Sequence, residues 1–307
     1  MADNDSVLAA FRSWQGAPMA LATVISTWGS APRPRGSHML IHADGRMEGS
    51  VSGGCVEGDV LALAAEVIAS GKPARRQYGV ADGAAWEVGL PCGGTIEILV
   101  QPIGQEGFPP DLFAAIDVAR ANGNAATIHT DLATGRSGLV PATAETDFAN
   151  LYAAPRRLLV VGAVQIAQSL VKIAGTLGIE ATVIDPRGRF LTSERFPGVT
   201  LDDRWPDEAV AAARPDPSTA VITLSHDPKI DDPALVAALS AQTGYVAALG
   251  SRSSHAARRE RLAAHGFVPA DLDRIDGPAG IDIGAIGAAE IALSIAAGMV
   301  KALHDPA

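Results

Sequence analysis

The chain has two cysteines, and each stands in a glycine-rich frame that mirrors the other. The frames consist of Ser52, Gly53, Gly54, Cys55, Val56 and Glu57, and of Pro91, Cys92, Gly93, Gly94, Thr95, Ile96 and Glu97. Glycines permit backbone conformations with φ > 0 that aim N–H groups into an anion-binding nest. A thiolate is a soft metal ligand and a nucleophile. Each frame therefore predicts a sulfur with free backbone donors, and the alternative is two small core cysteines beside tight turns.

The position of Cys55 strengthens the chemical interpretation. Between Cys55 and Ser70 the apolar residues recur with a period near 3.6, and Gly71 is placed to end the helix that this spacing predicts. Cys55 would lie at the helix N-terminus, whose partial positive charge stabilises a thiolate over a thiol. Cys92 belongs to a loop that enters a strand.

The elements around the two frames predict a mixed α+β first domain. Short β-rich runs occupy residues 21–27, 38–42, 46–51, 75–78 and 95–101. A helix over 110–121 and a hairpin at Thr134 and Gly135 follow. Residues 141–155 are interpreted as a linker, so the predicted domains are 1–140 and 156–307.

The second domain alternates strands with helices, which predicts a parallel, Rossmann-like sheet and an α/β fold class overall. A strand over 157–161 precedes Gly162 and the turn of a damaged dinucleotide fingerprint, in which Val164 replaces the second glycine. Polar residues follow the ends of this and later predicted strands, where an open sheet forms its ligand crevice. The candidates for binding there are Gly162, Asp185, Arg187, His226, Ser251 and Arg252.

Composition limits the classes of partner. The chain has 307 residues, 48% of them hydrophobic and 19% charged, which is enough to bury two cores. A formal net charge of -10 argues against nucleic acid and anionic membranes. The start lacks the basic and apolar regions of a signal peptide, so we expect a cytoplasmic protein. Residues 281–303 are apolar but interrupted by Asp282, Glu290 and Lys301, which favours a buried C-terminal helix over a membrane span.

Both cysteine frames resemble those of the XdhC/CoxI family. The similarity extends over nearly the whole chain, through residues 29–33, 185–187, 225–227, 250–252 and 280–285. Members are accessory factors for molybdenum hydroxylases such as xanthine dehydrogenase and aerobic carbon monoxide dehydrogenase. The resemblance implies that this chain binds molybdenum cofactor, as molybdopterin or its nucleotide form, and assists its sulfuration and insertion. It implies as partners the hydroxylase apoenzyme and a cysteine desulfurase, and it leaves a homodimer open.

The resemblance also gives the candidate residues their roles. Cys55 and Cys92 would ligate molybdenum or carry sulfur, with no assignment between the two. Arg33 and Arg35 are candidates for the cofactor's phosphate or pterin edge, because guanidinium pairs with both, or they are ordinary solvated arginines. Glu57 and Glu97 would hydrogen-bond pterin nitrogens or pair with arginine.

Two other classes of function stay open. The predicted sheet edge with Asp185 fits an NAD(P)-dependent oxidoreductase, although Val164 and Gln165 replace the glycine and histidine usual in the family. A non-catalytic interaction scaffold is the third class. On balance we expect a cofactor-binding chaperone rather than an enzyme that turns over.

Overall fold

The computed structural model describes residues 4–14, 16–79, 94–141 and 147–304. The chain divides into two compact units, Met1–Ala154 and Pro155–Ala307. Cys92 and Gly93 lie outside the described residues.

The first unit is built on a five-stranded antiparallel sheet with strand order β3-β2-β1-β5-β4. Its strands are β1 (Met19–Trp28), β2 (His38–His42), β3 (Met47–Gly49), β4 (Ala74–Tyr78) and β5 (Thr95–Pro102). The central strand β1 is buried from Met19 to Ile25 because both faces of the sheet are covered. Alternate side chains point to opposite faces, so a continuous apolar run is the expected pattern for such a strand.

Helices cover the two faces of this sheet. Helix α2 (Glu57–Ser70) packs Val60, Leu63 and Val67 against one face. The opposite face is covered by α1 (Asp5–Ser13) and α3 (Pro110–Ala121), with Phe11 and Phe113 stacked at 3.7 Å between ring centroids. The helix that the sequence predicts after Cys55 is α2, which begins two residues after that cysteine.

A small antiparallel sheet completes the first unit and changes the expected domain organisation. Its order is β7-β6-β8, formed by β6 (Ala126–Asp131), β7 (Arg136–Gly138) and β8 (Asp147–Tyr152). Strand β8 lies inside the segment 141–155 that the sequence places in a linker. Phe148 and Tyr152 of β8 are buried, so this strand belongs to the core of the first unit.

The second unit contains a six-stranded sheet in which every neighbouring pair is parallel. The strands are β9 (Arg157–Val161), β10 (Glu180–Ile184), β11 (Thr200–Asp202), β12 (Thr219–Thr223), β13 (Tyr245–Ala248) and β14 (Ile275–Asp276). Their order across the sheet is β11-β10-β9-β12-β13-β14. Successive strands are added on one side of β9 up to β11, and on its other side from β12 onwards. This is the doubly wound arrangement, so the predicted Rossmann-like fold is confirmed.

Helices pack on both faces of the parallel sheet. They are α4 (Gln165–Thr176), α5 (Pro206–Ala213), α6 (Pro228–Leu239), α7 (Arg252–Ala264), α8 (Pro269–Leu272) and α9 (Ala288–His304), with a 3-10 turn at Gly188–Phe190. One core lies under α4 and α9, and the other lies under α5, α6 and α7.

The C-terminal helix is shorter than the apolar stretch 281–303. Gly280 and Gly284 have φ of 98° and 71°, and the helix starts only at Ala288. Asp282 instead accepts a hydrogen bond from the Gly284 N–H in the preceding loop. Among the described residues, no helix combines the length and the apolar character needed to cross a bilayer.

Candidate functional site

Cys55 lies exposed near the end of a tight loop, two residues before α2 begins. The loop runs from Ser50 to Val56, and Gly53 and Gly54 adopt φ of 73° and 111°. Side chains other than glycine rarely adopt such angles, so the two glycines make this loop shape possible. The thiol is therefore presented to solvent by the loop and is no part of the apolar core.

The carboxylate of Glu57 occupies the centre of this loop. It accepts hydrogen bonds from the Ser50 hydroxyl at 2.7 Å, from the Ser52 N–H at 2.9 Å and from the Gly54 N–H at 2.8 Å. The Ser52 hydroxyl donates to the second carboxylate oxygen. Burial alone raises the pKa of Glu57, but the hydrogen bonds from Ser52 and Ser50 outweigh it and hold the pKa at about 2. Glu57 is therefore ionised and bound by its own loop.

The remaining donors of the loop are also engaged. The Gly53 N–H donates to the Ser50 hydroxyl oxygen, and those of Cys55 and Val56 donate to that of Ser52, each at 2.8–2.9 Å. Each backbone N–H from Val51 to Val56 thus has a side-chain acceptor. The expectation of free donors for a ligand anion fails in this frame, because Glu57 fills the nest that the glycines form. Ser52, Gly53 and Gly54 shape the loop, and the Cys55 thiol is the group left for chemistry.

The arginine loop borders the cysteine loop. The arginine loop spans residues 29–36, and a Cβ placed on Gly53 would meet Pro32 at 3.9 Å, so the loop lies beside the thiol loop at Pro32. Arg33 is half-buried, and its Nε is a buried nitrogen without a hydrogen-bond partner. Arg35 donates from Nε to the Ile25 carbonyl at 3.0 Å and lies 4.5 Å over the Phe148 ring. The Nε of Arg33 thus lacks an acceptor in the protein, whereas the Nε of Arg35 has one.

Gly94, the last glycine of the second frame, lies against the same arginine loop. A Cβ on Gly94 would stand 2.6 Å from the Ser30 carbonyl oxygen and 2.9 Å from that of Trp28. Only glycine permits this close approach of two backbones. The described end of the second frame and the first frame therefore border one segment, residues 28–33. Glu97 faces Arg75 at 3.6 Å, which agrees with its alternative as an arginine partner.

A polar cluster that the sequence did not indicate joins α2 to strand β4. The Tyr78 hydroxyl donates to Asp59 Oδ2 at 2.5 Å, and Arg76 Nη1 donates to the same oxygen at 2.7 Å. Burial and the Asp59 carboxylate raise the pKa of Tyr78. The cluster fixes the start of α2, and with it the cysteine loop, against the edge of the sheet.

In the second unit, Gly162, Asp185 and Arg187 of the residues predicted for nucleotide binding are held by contacts within the chain. A Cβ on Gly162 would lie 2.8 Å from the Ser225 N, so close packing requires this glycine. Asp185 is fully buried and accepts from the Ala163 N–H at 2.8 Å. It also accepts from Arg187 Nε and Nη2, at 2.9 and 2.8 Å. Burial raises the pKa of Asp185, and the hydrogen bonds from Arg187 and Ala163 bring it below its usual range. The carboxylate that was expected to meet ribose hydroxyls is thus engaged within the chain.

His226 lies at the switch point between the two halves of the parallel sheet. Its φ of 63° is left-handed, and its N–H donates to Asp231 Oδ2 at 3.2 Å. The Ser225 hydroxyl donates to the other oxygen of Asp231 at 2.6 Å. Burial raises the pKa of Asp231. Asp231 therefore positions the His226 loop. The sequence signal for this residue is an acidic side chain in the first turn of the helix that follows Ser225.

Two cavities meet at His226. One, of about 250 Å³, is lined by apolar residues that include Val164, Ile166 and Leu224. The other, of about 280 Å³, is lined by polar groups that include Ser254, Arg258 and Arg261. Ser251 caps α7 by accepting from the Ser254 N–H at 3.1 Å, and Arg252 is exposed beside it. No group of three or more His, Cys, Asp or Glu side chains suited to a metal occurs in the part of the chain that the structure describes.

Comparisons with known proteins identify the family. Residues 14–79 match the model of the XdhC and CoxI family, and residues 158–299 match that of the XdhC Rossmann domain. The chain is 30% identical over 295 residues to the molybdenum cofactor insertion chaperone PaoD of Escherichia coli, covering 94% of this chain and 84% of that protein. The chain therefore belongs to the XdhC and CoxI family, as the two cysteine frames predicted.

Two further comparisons give a similar protein and a similar fold. A Bacillus subtilis protein described as a probable xanthine dehydrogenase subunit is 26% identical over 316 residues, with 92% of each chain covered. A crystal structure described as a xanthine dehydrogenase from Bacillus halodurans superposes with a TM-score of 0.82 at 24% identity. It covers 99% of this chain and 96% of that one, so the fold is shared over both units.

Proposed function

We propose that this chain is a maturation factor for a molybdenum hydroxylase, and that it carries molybdenum cofactor as cargo in the first unit. The observation that carries the proposal is the exposed Cys55 thiol on a loop held by Glu57. The relative PaoD is named as an insertion chaperone for this cofactor, and it spans nearly the same length as this chain.

The described residues fit such a cargo in two respects. Thiolate sulfur is a ligand that soft metal centres accept, and the loop around Cys55 is pre-organised by hydrogen bonds to Glu57. Arg33, beside this loop, has a buried Nε without a partner, which suits the phosphate of the cofactor. In this proposal Cys55 binds molybdenum, Arg33 binds phosphate, and Glu57 positions the thiol without touching the cargo.

Finer steps of the proposal rest on the family resemblance. Cys92 would share the site as a second ligand or as the carrier of sulfur, which is supported by Gly94 bordering the arginine loop. A cysteine desulfurase would supply that sulfur, and the hydroxylase apoenzyme in the cytoplasm would receive the cofactor.

The test is retention of the cofactor by the purified full-length chain. Freshly released molybdenum cofactor is mixed with the protein, the mixture is separated by gel filtration, and retained molybdenum and pterin fluorescence are measured. We expect stoichiometric retention by the wild type and loss of retained molybdenum in Cys55→Ala, because the proposed sulfur ligand is removed. Ser70→Ala, an exposed change at the far end of α2, is the matched control and should retain the cofactor.

Three outcomes separate the parts of the proposal. Retention by Cys55→Ala and Cys92→Ala equal to the wild type would refute a role for the thiols. Loss in Cys92→Ala alone would transfer the ligand role to Cys92. No retention by the wild type would refute the carrier function.

A further inference from the structure

The polar cavity of the second unit contains a buried cation without an anionic partner. The cavity measures about 280 Å³ and lies where β12 and β13 end, between the His226 loop and α7. Arg258 of α7 lines it and is only 4% exposed. Its Nη2 donates to the Leu249 carbonyl at 2.9 Å, whereas Nε and Nη1 are buried without any hydrogen-bond partner.

The carboxylates near Arg258 are engaged elsewhere. Asp232 pairs with Arg261, whose Nε and Nη2 donate to it at 2.5 and 3.1 Å. Asp231 accepts from the Ser225 hydroxyl and from the His226 N–H. Among the described residues, neither carboxylate comes within 4.0 Å of the Arg258 guanidinium. The charge of Arg258 is therefore balanced only at a distance.

A buried guanidinium in this state is costly for the folded protein. Buried polar groups in native proteins are almost always hydrogen-bonded, and a buried charge without a partner is strongly destabilising. Burial lowers the pKa of Arg258, although a guanidinium stays protonated at neutral pH. Two donors with fixed geometry and no acceptor match a ligand that brings its own oxygen atoms.

We propose that this cavity binds the oxyanion group of a small molecule, a carboxylate or a phosphate, through the Arg258 guanidinium. The group accepts from Arg258, and the Ser254 hydroxyl at the cavity wall is a second donor. Asp231 also lines the cavity, with its oxygens engaged by the Ser225 hydroxyl and the His226 N–H. The site is independent of the cysteine loop and of the function proposed for the first unit.

The test uses inorganic phosphate and acetate as probes of the full-length chain, with thermal unfolding of the second unit as the readout. Ionic strength is held constant with sodium chloride, so that screening does not vary. We expect one or both probes to raise the Tm of the wild type saturably by about 3 °C at high occupancy. A response to phosphate alone identifies a phosphate site, and a response to acetate alone identifies a carboxylate site.

Two pairs of variants locate the binding. Arg258→Gln should lose the response, whereas Arg259→Gln should keep it, because exposed Asp273 is the partner of Arg259. Since Arg258 lacks an anionic partner without ligand, Arg258→Gln should fold with a Tm equal to or above that of the wild type. Ala257→Leu fills the cavity from the exposed face of α7 and should also lose the response, whereas its neighbour variant Ala256→Leu should keep it.

The Tm values measured without ligand show whether each variant folds. If one of the two variants does not fold, the other still tests the site. The proposal is overturned if neither probe shifts the wild type. It is overturned equally if Arg258→Gln and Ala257→Leu respond as the wild type does, because the anions would then bind elsewhere.

Discussion

The substitution Glu57→Gln tests whether the cysteine loop is held by a carboxylate. The neutral amide has one acceptor oxygen in place of two, so donors from Ser52, Gly54 and Val56 would face an NH₂ group. The pKa of Glu57 is about 2 in the folded chain against its usual 4.5, which corresponds to about 3 kcal/mol in favour of the ionised form. We expect Glu57→Gln to lose stabilisation of this order in the loop at neutral pH.

The effect should depend on pH in a definite direction. Above pH 4.5 the carboxylate is ionised in both folded and unfolded chains, and the wild type keeps its full advantage over the variant. As pH falls from 4.5 to about 2, the unfolded chain binds the proton first, and the advantage disappears. The difference between wild type and Glu57→Gln is therefore largest at neutral pH and shrinks in acid.

Hydrogen exchange followed by mass spectrometry provides a local measurement. Peptides that cover residues 51–60 report on the loop separately from the second unit. A loss of about 3 kcal/mol accelerates exchange in this peptide by a factor on the order of 100. Glu66→Gln, an exposed change on the same helix, should stay within about 0.5 kcal/mol of the wild type. Equal protection in Glu57→Gln and Glu66→Gln at neutral pH would refute the reasoning.

Two further predictions concern buried polar groups elsewhere. Burial lowers the pKa of His38 from 6.5 to about 4, so acidification through this window should destabilise the first unit by about 3 kcal/mol. Urea unfolding between pH 7 and about pH 4 measures the free energy of unfolding across this window. The same pH dependence in His38→Gln would contradict the assignment. Asp185→Asn should destabilise the second unit by about 2 kcal/mol, because Arg187 and the Ala163 N–H lose their charged acceptor. Arg187→Met should cost more, since it leaves the fully buried Asp185 carboxylate without its cation, whereas Asp185→Asn leaves only the partly exposed Arg187 without a partner. The reverse order in urea unfolding would exclude this explanation.

Elements with strong local signals were predictable from the sequence. The strands at His38–His42 and Arg157–Val161 and the helix at Pro110–Ala121 have the predicted bounds. Each has a regular apolar pattern bounded by glycine, proline or polar turn residues, and such signals act over a few residues. Strand β8 was missed because its sheet partner β6 lies about 20 residues away, and no short segment shows that pairing.

The candidate site was predictable only in part. Glu57 was predicted as a site residue from its place in the first cysteine frame. The sequence around it could not distinguish a residue that binds pterin from one that anchors the loop. Arg258, Arg259 and Arg261 are near neighbours on one helix, and yet one is buried without an anionic partner and the others pair with Asp273 and Asp232. Side-chain partners are selected by elements that are far apart in the chain, so local patterns do not contain them.

The sequence by itself determined the family, the two cysteine frames and the doubly wound second unit, because these depend on residue types, spacing and periodicity. Only the tertiary structure decided that Glu57 fills the glycine nest, that Asp185 is held by Arg187 and that Arg258 lines a cavity with no acceptor for its Nε and Nη1. The physical reason is that a charged group takes its role from the donors and acceptors that folding brings within about 3 Å of it.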